Sequence, residues 1–423
     1  MARFNLLALL PWITFALAFP RPLMNTLSKR RAVLQPGARL SRRAAAPPTA
    51  QFPYGGAKID GLPGSQQGGF QVPAPGDTAH AFQSPPAGAE RGPCPGLNTM
   101  ANHGFISRDG ITTFDELVAA QQNAFNIAYD LAVLLATLGV ALDGDIITEK
   151  VSIGGDATAK TAALGALQGL LGPEGGLDTH NTFEADTSLT RNDFFLANGD
   201  DYSFNGTLFA MMTETVASTS STDDPLYDRT GIALYRFQRY QQSRAENEHF
   251  YFGPKATHIY GAASFLYQAF PSQANNLKPD KATMMSFFGA VEPAAGEFAF
   301  GFQPERFPDN WFNRETPYTI LEIATEILAQ YLAHPVLFGG NVGPDDFDAL
   351  GAFGIISNGQ LGGNGSTISA NDVACLLFQV FATEAVPDSV SGLLTLPIEL
   401  LNWITGKLLP LSQGLGCPLA TNS

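Results

Sequence analysis

A lone cysteine between two prolines is the residue best placed to do chemistry in this chain. It sits in the run Arg91-Gly92-Pro93-Cys94-Pro95-Gly96-Leu97-Asn98-Thr99-Met100-Ala101-Asn102-His103-Gly104. Pro95 fits the first position of a short helix, where its missing N–H costs nothing. The amides of Gly96, Leu97 and Asn98 are then donors without intrahelical partners, directed back toward the Cys94 sulfur. A helix N-terminus favours negative charge, so the spacing predicts a Cys94 biased toward thiolate. Such a thiolate can act as a nucleophile or as a soft metal ligand. The same residues also suit a turn around a buried, inert cysteine.

Two further stretches carry chemistry. Phe183-Glu184-Ala185-Asp186-Thr187-Ser188-Leu189-Thr190-Arg191 places two carboxylates and a serine hydroxyl within five residues. Glu184 and Ser188 are four apart, so a helical turn would bring both to one face. Hard oxygen ligands with room for water suit Mg²⁺ or Mn²⁺. Equally, the stretch reads as a solvated helix start capped by Asp186. The third stretch is Lys255-Ala256-Thr257-His258-Ile259-Tyr260-Gly261-Ala262. His258 and Ala262 share a helical face, and an imidazole titrates near neutral pH. His258 reads either as a proton carrier or as an ordinary polar residue in a helix's first turn.

The run PCPGLNTMANHGFISRDG strongly resembles the proximal haem-ligand motif of the fungal haem-thiolate peroxidases, the family of chloroperoxidase and the unspecific peroxygenases. The resemblance implies haem b with Cys94 as the fifth ligand of its iron, cradled by Pro95, Gly96 and Leu97. The Glu184 stretch resembles the family's Glu-x-Asp-x-Ser-Leu-x-Arg segment. That likeness implies a divalent cation beside a haem propionate, held by the Glu184 side chain, the Ala185 carbonyl and the Ser188 hydroxyl, with Phe183 facing the haem channel. Ala185 stands where chloroperoxidase-type members have His and long peroxygenases Gly, which puts efficient halogenation in doubt. At Tyr260-Gly261 the frame matches the family's distal helix, but Ala262 occupies the position of its catalytic glutamate and Lys255 that of its arginine. His258 is the replacement proton carrier the sequence offers, with Glu246 or Glu248 as alternatives in a shifted alignment. With Cys94 given to iron, the resemblance leaves Cys375 and Cys417 to pair, as in larger peroxygenases with a C-terminal bridge; two free thiols are the other possibility.

These groups need a scaffold, and the chain is long enough to build one. Its 423 residues are 45% hydrophobic and 15% charged, which is globular composition. Thr113-Phe114-Asp115-Glu116 reads as a capping box opening a core helix through Leu138. Further helices are expected at 158–171, 206–218, 224–245, 258–270, 317–332, 370–384 and 394–408. Strand signals are weak. The expected fold class is all-α: a single, predominantly helical domain over 91–420, as the family's fold implies, preceded by a long irregular segment. Trp311 and the aromatics from Phe287 to Phe312 could wall an apolar channel or simply form core.

Arg3, the apolar run Leu6–Leu17 and Ala16-Leu17-Ala18 have the layout of a secretory signal over residues 1–18. Basic clusters at Lys29-Arg30-Arg31 and Arg42-Arg43 mark 19–46 as a propeptide or basic arm. Residues 47–90 read as a Pro/Gly-rich linker or a coil wrapped on the surface. Asn205-Gly206-Thr207 and Asn364-Gly365-Ser366 are glycosylation sequons. A net charge of −15 argues against nucleic acid and anionic membranes as partners. The expected protein is a secreted, extracellular monomer using H₂O₂ to oxidise or oxygenate a small hydrophobic substrate. Two other functions compete with it: a haem-binding protein whose peroxidase activity has degenerated with the loss of the glutamate at Ala262, and a cofactorless hydrolase with Cys94 as nucleophile.

Overall fold

A computed structural model describes residues 53–56, 61–163, 174–341, 368–384 and 396–417. The signal, the propeptide clusters and the Asn364 sequon lie outside the described residues. Helices dominate: α1 (Pro95–Asn102), α2 (Phe114–Phe125), α3 (Tyr129–Asp143), α4 (Thr158–Thr161), α5 (Gly206–Thr219), α6 (Arg229–Glu246), α7 (His258–Gln268), α8 (Lys281–Phe288), α9 (Ile320–Ala333), α10 (Ala370–Glu384) and α11 (Leu396–Leu415). Short antiparallel pairs join β1 (Ile111–Thr113) to β2 (Lys150–Ser152), β3 (Tyr251–Phe252) to β6 (Gly339–Gly340), and β4 (Ala290–Val291) to β5 (Gly301–Phe302). The all-α expectation therefore becomes a mostly helical fold with small strand pairs.

The expected core helix is two helices. α2 opens as foreseen, with the Thr113 side chain accepting the Glu116 amide at 3.2 Å. The return half of the box is absent, because Glu116 takes the Thr112 hydroxyl at 2.6 Å instead. At Asn126 the backbone turns left-handed (φ 52°). Asn tolerates that conformation, and its amide donates to the carbonyls of Arg314 and Glu315 at 3.0 and 3.1 Å. The apolar period runs across the break because α2 and α3 both face the core. α3 is buried on nearly all sides, and α2 and α11 pack against it.

α4 stops at Thr161, where a helix to 171 was expected. Ala162 is extended, the Thr148 hydroxyl takes the Thr161 carbonyl at 2.6 Å, and Asp145 takes the Ala163 amide. Residues 164–173 lie outside the described set. α6 begins at Arg229 rather than 224 because Asp228 caps it, accepting the Gly231 amide at 3.0 Å. α11 continues past 408, through Pro410, to Leu415. α8 was not foreseen, although Asp280 caps it and left-handed Gly289 ends it. Trp311 and Phe287 are fully buried core, and the Trp311 indole donates to the Phe270 carbonyl at 2.7 Å.

Residues 61–90 are irregular but docked. Val72 is 1% exposed, and the amides of Gly61, Gly68, Val72 and Gln83 reach the carbonyls of Asp115, Glu315, Trp311 and Asn102. Cys375 and Cys417 form a disulfide joining α10 to the end of α11. Asn205 caps α5 with its side-chain oxygen, and its amide donates to Asn192 at 2.6 Å. No helix among the described residues is long and apolar enough to cross a membrane.

Candidate functional site

α1, α2, α3, α7 and α9 line a cavity of about 210 Å³, open at its mouth. Its walls are almost wholly apolar, with Leu131, Leu134, Leu135, Ile259, Leu266, Ile323 and Ile327 among them. Cys94, Pro95, Gly96, Leu97, Phe183, Glu184, Ser188, His258 and Ala262 all line it. The three sequence stretches, up to 168 residues apart between Cys94 and Ala262, thus meet at one place.

Cys94 is the N-cap of α1 and is the free cysteine of the chain. The amides of Gly96 and Leu97 lie near its sulfur and favour its charged form, although no capping hydrogen bond reaches it. The Asn98 amide instead enters the helical ladder and donates to the Cys94 carbonyl at 3.1 Å. The expected thiolate bias also fails for the cofactor-free chain. Burial pushes the thiol above its ordinary value, and this outweighs the two amides and the Arg191 charge. A metal ion reverses that balance, since a coordinated sulfur must lose its proton.

The acidic stretch is a turn rather than a helix. Thr187 sits at φ 73°, which strains a β-branched residue. Arg236 holds it there, donating to the Thr187 carbonyl at 2.7 Å and hydroxyl at 3.2 Å, while its guanidinium lies 4.8 Å from the centre of the Tyr260 ring. The turn still brings the Ser188 hydroxyl close enough to Glu184 to favour its charged form. Asp186 caps no helix; it is buried and accepts from the Asn247 side chain at 3.1 Å. Ala185 is buried behind the cavity wall.

Glu184 Oε1 is buried without a hydrogen-bond partner. Burial, and then the charge of Asp201, raise this carboxyl to about 8. Burial likewise raises Asp178, also to about 8. Both groups hold protons in the fold that an unfolded chain would release. Their stabilisation is therefore complete below about pH 4 and is lost as pH rises through 8. Without haem or cation, the thermal midpoint of Glu184→Gln should fall less steeply between pH 5 and pH 8 than that of the wild type, roughly one titrating carboxyl fewer. Parallel melting curves for the two proteins would refute this.

His258 reaches the cavity, but its ring is engaged. Nε2 meets the Phe183 carbonyl and Nδ1 the Lys255 carbonyl, and the Phe183 ring lies 5.4 Å away. Burial holds the imidazole below its ordinary pKa, which favours the neutral form. A neutral ring can donate from one nitrogen only. Lys255 does not line the cavity; its charge acts on buried Asp143. Glu246 pairs with Gln242 and Glu248 lies beside His249, both exposed and away from the cavity, so neither supplies the acid. Ala262 is exposed to open space between buried Gly261 and Ala263.

The sequence reading missed what holds the cysteine loop. Asn98 grips Gly92 at both its amide and its carbonyl, at 3.1 and 2.9 Å, and donates to Glu305 at 2.9 Å. Glu305 lies far along the chain in irregular structure, so no local pattern marks it. Among the described residues, no three His, Cys, Asp or Glu side chains group to hold a metal ion.

A half-buried sulfur at a helix N-terminus thus opens on an apolar cavity. Residues 80–316 match the family described as Peroxidase, family 2. The chain is 32% identical over 342 residues to an aromatic peroxidase of Fusarium equiseti, covering 78% of this chain and 76% of that one. It is 32% identical over 348 residues to a dothistromin biosynthesis peroxidase of Dothistroma septosporum (80% and 81%). An aromatic peroxygenase of Coprinellus radians is 36% identical over 195 residues (46% and 71%). The chain belongs to the fungal haem-thiolate peroxidase family and is an oxidoreductase acting with peroxide. Membership implies a haem cofactor.

Proposed function

We propose that this protein is a secreted, monomeric haem-thiolate peroxidase or peroxygenase that uses H₂O₂ to oxidise or oxygenate a small hydrophobic organic substrate. The observation that carries the reading is Cys94: a free thiol at the N-cap of α1, lining an apolar cavity, with the Gly96 and Leu97 amides favouring its charged form. The donor set fits haem iron, a soft thiolate within an apolar enclosure. When bound, the haem supplies iron whose thiolate ligand favours O–O cleavage.

Cys94 would hold the haem iron through its sulfur, and the two amides would favour its charge. Glu184, through its unpartnered Oε1, the Ala185 carbonyl and the Ser188 hydroxyl would take Mg²⁺ or Mn²⁺. A cation there would relieve a carboxyl that burial otherwise keeps protonated. The apolar walls exclude water and select uncharged substrates; Phe183 would orient them. Apart from Cys94, Glu184 and His258 are the titratable side chains lining the cavity. With Glu184 on the cation, His258 carries the proton at Nε2, exchanging the Phe183 carbonyl for peroxide.

The same engagement of His258, together with Ala262, favours a second reading in which peroxide is activated only weakly. Two measurements on the purified, secreted protein decide. The reduced, CO-treated protein should show the red-shifted Soret band of a thiolate-bound haem. It should also turn over peroxide with an aromatic phenol. A band without turnover leaves the weak activator; a colourless protein ends both readings.

A further inference from the structure

Glu305 is buried, with a side chain 4% exposed, and it faces a buried cation. Its carboxylate lies 3.8 Å from Arg191 Nη2, whose side chain is 2% exposed. Arg191 donates through Nε to the carbonyl of Pro93, the residue before Cys94, at 3.2 Å. Glu305 accepts from Asn98 at 2.9 Å, four residues after Cys94, and its backbone carbonyl accepts from Asn102 at 2.8 Å. The cysteine loop is thus clamped before and after the sulfur by one positive and one negative side chain. Neutral amides could brace the same peptide. Burying an ion pair gains little stability on average, because desolvation offsets the attraction. The Arg191 charge acts on the Cys94 sulfur, and Glu305 is the strongest of the acids that face Arg191, ahead of Glu184 and Asp178.

We propose that the Arg191–Glu305 pair sets how much electron density the Cys94 sulfur gives to iron, Arg191 withdrawing it and Glu305 restoring it. Both are positioning residues, acting through the loop and its charge. The inference rests on Cys94 being the iron ligand. Charges and hydrogen bonds around a ligand sulfur are established levers on iron potential. A positive charge favours the more reduced, more negative centre; a negative charge opposes it.

The test is the ferric/ferrous potential of the haem-loaded protein, with the CO band as control. Glu305→Gln removes the strongest of the charges opposing Arg191 and should raise the potential. Arg191→Gln should lower it, and Arg191→Lys, which keeps the charge, should stay near wild type. A unit charge at an effective dielectric of about 20 shifts a nearby ionic equilibrium on the order of tenfold. For one electron, tenfold is about 59 mV. The double variant, Arg191→Gln with Glu305→Gln, leaves no unpaired buried charge. It should fold even where a single variant does not, and keep both the wild-type potential and the thiolate band. Shifts of opposite sign in the single variants, cancelled in the double, support the proposal. Shifts of one sign, no shift, or a double variant that loses the thiolate band overturn it and leave a structural clamp. A wild type without that band would refute the ligand assignment instead.

Discussion

Cys94→Ser should abolish the thiolate band of the CO-treated protein and cut peroxide turnover by more than about 100-fold. Loss of an outer-shell partner already costs roughly 10–100-fold in metal affinity or activity, and here the ligand itself is removed. A serine hydroxyl stays protonated near neutral pH, so the amides of Gly96 and Leu97 would face a weak neutral donor in place of an anion. The cofactor-free protein should respond in the opposite direction. Serine is a preferred helix N-cap, and Cys94 caps α1 without a side-chain bond of the ordinary capping kind. The hydroxyl also removes a thiol that burial disfavours in its charged form. Cys94→Ser apoprotein should therefore melt no lower than wild type, gaining up to about 1 kcal/mol. Absorbance after haem loading and a thermal melt before it check the two halves. A serine variant that keeps the wild-type spectrum removes the basis for everything inferred about the cavity.

That contrast shows what local sequence could and could not carry. The Cys94 cradle was legible because helix-start chemistry is written in consecutive residues: Pro95 at the first position and two amides behind it. The protonation state was not, because burial dominates it, and burial comes from α2, α3, α7 and α9 closing overhead. Glu184 and Ser188 do meet, as their spacing implied, but through a turn with Thr187 in a strained conformation. Arg236, from a helix about fifty residues on, holds that turn. The long helix expected through Leu138 broke at Asn126 for a similar reason: carbonyls of Arg314 and Glu315 reward the left-handed turn, while the apolar period stays silent about it. Glu305 could not be found at all. Its partners Arg191 and Asn98 lie 114 and 207 residues earlier, and it sits in no periodic element.

Ala262→Glu should raise peroxide turnover by about 10²–10⁴-fold, the usual contribution of a positioned acid–base group. The site has the space: Ala262 faces open volume on α7 and lines the same cavity as Cys94, so a longer side chain meets no packed neighbour first. The argument turns on how well His258 serves at present. With its nitrogens against the carbonyls of Phe183 and Lys255, it must give up one bond to take a proton from peroxide. If it does so, Ala262→Glu should instead add little, and His258→Ala should lower wild-type turnover by a similar 10²–10⁴-fold. It should have far less effect once a glutamate stands at 262. The two substitutions then couple rather than add, as expected for groups sharing one task. The pH profile separates the carriers. Burial depresses the His258 pKa below its ordinary 6.5, so wild-type turnover should persist below pH 6.5 and fall only as pH drops through that lowered value. No rise in Ala262→Glu, with no loss in His258→Ala, would show that proton transfer does not limit the reaction. No loss in His258→Ala would show that the imidazole, tied on both sides, is a brace between α7 and the acidic turn.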